Sequence, residues 1–336
     1  MLKERLDAVP RQPLGVFETP LDPLPRLSVA LRRPVYVKRD DLLGAALGGN
    51  KARKLEYLMA AACRSGARRV VTFGGLQSNH VRMTAAAARQ CGLEPHLFLF
   101  GRRPPRLSGN MLLSELLGAR QHVVPLPQGG PPRLTLEQSV RLVRLLARLR
   151  VGRHYFIPVG GHSWLGALGY VRAAAELDAQ ARALGLGDAW VVLAAGTGGT
   201  LAGLMAGLAL CGSQLRPLGI DIGKLWRGFP ASVARLASEV CARLGLPRSF
   251  APARVPLVQR AYAGARYGEP SPEGAAALRY LALLEGLLLD PVYTAKAFAG
   301  LLDLAQRGEL GRSAPLIFLH TGGAPALFAD PEEHDG

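Results

Sequence analysis

WVVLAAGTGGTLAGLMAGL, residues 190–208, sets a short apolar run directly against a glycine-rich turn, and a helical period follows at once. The run at 190–195 lacks polar alternation and is too short for a helix, as expected of a strand buried on both faces of a parallel sheet. The turn is Ala195, Gly196, Thr197, Gly198, Gly199 and Thr200. Successive glycines let backbone N–H groups close on a phosphate at a helix N-terminus, where the helix dipole favours negative charge. A nucleotide P-loop needs a lysine after its last glycine, and none follows here. A dinucleotide-binding pattern also fits the glycines, with Asp221 about 20 residues beyond them. The turn indicates a phosphate and leaves open which one.

Outward from this stretch the same alternation repeats. VYVKRDD at 35–41 reads as a short strand entering a glycine-rich turn, and apolar runs at 70–73, 96–100, 121–124, 155–159, 217–221 and 315–319 read as further strands. Helical periods occupy 79–91, 108–118, 133–150, 164–184, 199–210 and 273–286. Strand–helix alternation predicts an α/β fold, a mostly parallel sheet with helices on both faces. At 336 residues the chain suits two α/β lobes of ordinary size. The proline- and glycine-rich stretch PLPQGGPP at 125–132 reads as a loop within a lobe, and the acidic tail ADPEEHDG at 329–336 as a frayed end.

Composition narrows the function. No apolar run reaches the roughly 18 residues a membrane helix requires, and the N-terminus lacks the apolar core of a signal peptide, so a cytoplasmic protein is expected. Cys63, Cys91, Cys211 and Cys241 form no CxxC pair and read as small buried hydrophobes. A net charge of +16 raises the question of nucleic acid. The excess is arginine, 35 against six lysines, and Arg141, Arg144 and Arg148 share a helix face without interleaved aromatics. The leucines and valine between them are assigned to its buried face. A solvated basic surface follows, with no specific nucleic-acid site and no membrane partner. No histidine and carboxylate stand at metal-ligand spacing, so no metal is expected.

Against so few lysines, GGNKARKLE at 48–56 places Lys51 and Lys54 one turn apart at the mouth of a glycine turn. Arginine cannot replace lysine where an amine must form an imine, because a guanidinium stays protonated. VVTFGGLQSNHVRMTAAAARQCG at 70–92 runs a strand into Gln77, Ser78, Asn79 and His80 at a helix start, a carboxylate-binding arrangement that also serves as an ordinary cap. His80 reads as a structural hydrogen-bonding residue. Further on, Tyr267 and Tyr293 sit in loop or helix-start contexts, Thr321 follows a buried strand, and Lys296 reads as a helix-surface residue.

In their order along the chain, VKRDDLLGAALGGNKARKLE, QSNHVR, IPVGGHSWLGALGYV, GTGGTLAGL, LLDPVYTAKAFAGL and FLHTGGAPALF resemble the family of D-cysteine desulfhydrase and 1-aminocyclopropane-1-carboxylate deaminase. The resemblance spans nearly the whole chain. It implies the tryptophan-synthase-β-like architecture, two open α/β lobes with pyridoxal 5'-phosphate between them, commonly as a homodimer. Residues 1–55 with 162–336 would form the large cofactor lobe and 56–161 the small one. Lys51 would hold the cofactor as a Schiff base and exchange the α-proton of a small amino-acid substrate. Lys54 and residues 195–200 would hold the phosphate, Asn79 the ring hydroxyl, and Thr294 or Thr321 the ring nitrogen. Gln77, Ser78, Asn79 and His80 would line the substrate side, with Ser78 on its carboxylate and Tyr267 and Tyr293 facing it.

Position 294 separates two activities within this resemblance. The deaminase carries a glutamate there, which keeps the ring nitrogen protonated; PVYTAK places Thr294 there instead. A hydroxyl stabilises less charge, which suffices when the β-substituent is a good leaving group such as thiolate. The expected reaction is therefore α,β-elimination of D-cysteine, ahead of ring opening or a sulfo-lyase reaction on cysteate.

Overall fold

A computed structural model describes residues 2–125, 135–223, 226–259, 261–264 and 267–329. Its strands are β1 (Leu21–Pro23), β2 (Val35–Lys38), β3 (Arg69–Gly75), β4 (Glu94–Phe100), β5 (Arg120–Val124), β6 (Tyr155–Phe156), β7 (Trp190–Ala195), β8 (Arg216–Asp221), β9 (Leu257–Val258) and β10 (Leu316–Leu319). Its helices are α1 (Leu2–Asp7), α2 (Pro25–Leu31), α3 (Lys51–Arg64), α4 (Asn79–Gln90), α5 (Gly109–Leu116), α6 (Leu136–Val151), α7 (Trp164–Ala183), α8 (Gly199–Cys211), α9 (Phe229–Arg243), α10 (Pro272–Glu285) and α11 (Thr294–Gln306).

Two sheets result, in the orders β1-β2-β10-β7-β8-β9 and β5-β4-β3-β6. Every pairing is parallel except β1 with β2. Side chains alternate across the larger sheet with the two-residue period of a strand. Ile317 and Leu319 enter the core under α7, α8 and α9, whereas Leu316 and Phe318 enter the one under α10 and α11. In the smaller sheet Phe73 and Phe98 pack beneath α6, and Leu97 and Leu99 beneath α4 and α5. Both sheets thus carry helices on both faces, the α/β arrangement expected.

Several local expectations change. Lys296 is buried, not at a helix surface, and donates to the carbonyl of Ala263 at 2.6 Å. Cys63 is exposed and Cys91 and Cys211 half-buried, leaving Cys241 as the buried hydrophobe. On α6, Leu142, Leu145 and Leu149 are exposed while Val143, Ala147 and Val151 are buried, because small and β-branched residues fit its close approach to the sheet. The strand at 155–159 stops at Phe156, and a 3-10 turn follows at Val159–Gly161. The loop at 125–132 beyond Pro125 and the tail beyond Ala329 lie outside the described residues.

One buried network sets where α3 begins. Arg53 donates to both oxygens of Asp40 at 2.8 Å and to both oxygens of Glu176 at 2.9 and 3.0 Å. Lys38 and Tyr170 bond the same two carboxylates, and Arg53 lies over the ring of Phe17. Gly169 lets α7 come this close, since a Cβ there would stand 2.2 Å from the carbonyl oxygen of Arg53. Burial pushes the Asp40 carboxyl up, but Arg53 beside it prevails and holds it below its ordinary value. Removing one member of a buried pair strands the other charge. Arg53→Met should therefore cost about 3–5 kcal/mol in urea unfolding, and a loss within 1 kcal/mol, on the order of a surface change, would refute the role.

Candidate active site

The C-terminal ends of β3, β4, β7 and β10 converge on one cavity of about 440 Å³ between the sheets. Open parallel sheets bind ligands at these strand ends. Lys51 and Lys54, on one face of α3, both reach it. The Lys51 amine donates to the Asn50 side chain at 2.8 Å, and that side chain donates to Thr200 at 3.2 Å. Loss of solvation, then the charge of Arg82, pulls Lys51 down to about 8 against the opposing pull of Asp290. Burial, then Lys51, holds Lys54 well below its ordinary value. Its amine donates to the carbonyl of Gly160 at 3.0 Å and stands near the first residue of α8.

That helix starts on Gly198 in the left-handed region (φ 77°), where a Cβ would strike Val233 at 2.4 Å. Gly196, Thr197, Gly198, Gly199 and Thr200 all line the cavity; Ala195 does not, and Ala194 takes that place, because alternation along β7 turns Ala195 into the core. His162 lies behind the turn, bonded to Ser232 at 3.3 Å and depressed by burial to about 4, so it is neutral near pH 7.

Ser78 caps α4 weakly, accepting from Val81 N–H at 3.5 Å, which leaves its O–H free to donate. The Asn79 oxygen accepts from Asn110 at 3.0 Å and from Arg82 at 3.4 Å, so the amide NH₂ is the end offered to the cavity. Gln77 reaches the wall, but its amide is engaged by Ser108 and Asn110. His80 bonds Thr72 at 2.8 Å, and burial, then the two lysines, keeps it neutral.

Tyr267 and Tyr293 meet hydroxyl to hydroxyl in the cavity lining. Burial raises both phenols, Tyr293 further because Tyr267 and Asp290 adjoin it. Thr321 lines the cavity. Thr294 does not: its hydroxyl donates to Asp290 at 2.7 Å, and the same carboxylate accepts the backbone N–H of Val292, Tyr293 and Thr294. Of the two threonines expected at the ring nitrogen, Thr321 reaches the cavity and Thr294 does not.

Residues 13–322 match the family described as pyridoxal-phosphate dependent enzyme. The chain belongs to that family. The D-cysteine desulfhydrase of Yersinia pestis is 41% identical over 98% of each chain. A Pyrococcus horikoshii protein provisionally named 1-aminocyclopropane-1-carboxylate deaminase is 39% identical over 95% of this chain and 93% of its own. A crystal structure of an ACC deaminase homologue superposes with a TM-score of 0.86 at 38% identity, covering 97% and 96% of the two chains. Tomato threonine deaminase isoform 2, at 16% identity and a TM-score of 0.67, shares the fold.

The residues fit the family's cofactor. Lys51 and Lys54 line a cavity that no Asp or Glu lines among the described residues, and Arg82 stands close enough to lower Lys51, a setting that suits an anionic group. Sequence reading gave no role to Arg82, lost among 35 arginines, or to Asn50, although both lie inside the quoted motifs QSNHVR and GGNKARKLE. Only a neutral amine attacks an aldehyde. Uptake of pyridoxal phosphate by stripped protein should therefore quicken as pH rises with a midpoint near 8, followed by absorbance in stopped flow. A midpoint near the ordinary lysine value of 10.5 would contradict the depressed amine.

Proposed function

We propose that the protein eliminates the sulfur of a small amino acid, with D-cysteine giving pyruvate, ammonia and hydrogen sulfide. The carrying observation is the absence of Asp and Glu from the cavity lining among the described residues, together with the Thr294 hydroxyl bound to Asp290. Opening a cyclopropane ring asks for a deep electron sink with a protonated ring nitrogen, and expulsion of thiolate asks for less. The relatives named D-cysteine desulfhydrase support the same reading.

When bound, the cofactor supplies the electron sink. Ser78 and the N-terminus of α4 hold the substrate carboxylate. The Lys51 amine takes the α-proton at Nζ, and a base near pH 8 is matched to that task. As the Cα–H electron pair expels the β-sulfur, the Tyr267–Tyr293 pair, kept protonated by burial, donates a hydrogen bond to it. The released enamine adds water and loses ammonia.

The same reading carries a cytoplasmic homodimer with lobes of 1–55 plus 162–336 and of 56–161. Exposed Leu42, Leu47 and Leu288 around a second hollow support the dimer. No helix among the described residues is long and apolar enough to cross a membrane. Light scattering should give twice 35.8 kDa, and a mass of one chain would refute the dimer.

Holoenzyme incubated with D-cysteine, L-cysteine, L-cysteate and 1-aminocyclopropane-1-carboxylate should release pyruvate and sulfide from D-cysteine. Formation of 2-oxobutyrate or sulfite instead would overturn the reading. Tyr293→Phe should lower kcat by about 10²-fold or more, as loss of a positioned proton donor does, with a much smaller change in KM.

A further inference from the structure

The cavity has two unlike walls. One carries the amines, Ser78, Asn79 and the tyrosine pair. The other is apolar: Phe73, Phe100, Val124, Leu142, Val159 and Trp226. Strand register explains why they face one way. Gly75 pairs with Phe100, and Phe100 with Val124, so the three form one cross-strand row at the C-terminal edge of the smaller sheet. Phe73 lies two residues before Gly75, hence on the same face, and meets Phe100 edge-on with ring centroids 6.0 Å apart.

The row starts beside the reacting centre. A Cβ built on Gly75 would stand 3.5 Å from the Tyr267 ring, so glycine there leaves the way open from the tyrosines to Phe100. Trp226, from the larger sheet's side, packs against both the α7–α9 core and the aromatic cluster of the smaller sheet, closing the row from across the cleft. The wall therefore calls for an apolar ligand group.

Cysteine offers one methylene and a sulfur, and these end at the tyrosine pair. We propose that the preferred substrate is a cysteine S-conjugate, whose apolar or aromatic S-substituent lies along Phe73, Phe100, Val124 and Trp226. This rests on the carbon–sulfur lyase reading and names its substrate class. In the reaction the α C–H and β C–S bonds break. The sulfur leaves with the bonding pair and is protonated to a free thiol, and the enamine and one water give pyruvate and ammonium. No oxidant or reductant is required.

The test compares holoenzyme kcat/KM for cysteine, S-benzylcysteine and S-(4-pyridylmethyl)cysteine, each as both enantiomers, by pyruvate and thiol release. The benzyl conjugate should exceed cysteine by about tenfold or more, in the range an apolar pocket discriminates. Phe100→Ser should lower the benzyl-to-cysteine ratio by about tenfold. Turnover of cysteine at or above the rate of both conjugates overturns this inference and leaves the lyase reading standing. Turnover of neither cysteine nor conjugate overturns both. The native ratio decides even if a variant fails to fold.

Discussion

Arg53 points away from the cavity, yet the cavity's chemistry depends on it. Two carboxylates from different parts of the chain, Asp40 and Glu176, grip its guanidinium in a buried site. The grip ties α3 to α7 and to the turn before α3. Lys51 and Lys54 stand two residues back and one residue on, on the other face of the helix. A helical rotation of 100° per residue makes those placements consequences of one another. Were α3 free to rotate or slide, two lysines without carboxylate partners would turn to solvent, where an ammonium is better solvated.

Held there, the amines create the electrostatic condition for function. Two lysines and the start of α8 face a cavity without a carboxylate in its described lining, which suits an anionic cofactor and an amino-acid carboxylate. The same crowding lowers Lys51 toward neutrality, so that one residue can bind an aldehyde and later act as a base. The same cavity carries neutral phenols, kept so by burial. Acid and base are thus assigned by environment rather than by residue type.

Much of this was legible in the sequence. Short apolar runs before glycine turns marked β3, β7 and β10, and the strand ends they marked are those that meet at the cavity. Local signals of that kind report backbone conformation, and so they located Lys51, Ser78 and the glycine turn. They do not report which way a side chain turns once neighbours arrive. Thr294 and Thr321 both looked able to reach a bound ring, and only the Asp290 carboxylate, four residues before Thr294, removed one of them. Lys296 looked like a surface residue because its helix, α11, is buried on nearly every side. Arg53 and Arg82 were hidden by the arginine-rich composition. The apolar wall joins six separate segments, and no spacing along the chain announces it.

Borohydride reduction of the holoenzyme, followed by peptide mapping of the label, tests the central claim most directly. The account predicts label on Lys51 alone. Label on Lys54 or Lys296, or protein that takes up no pyridoxal phosphate, would contradict it.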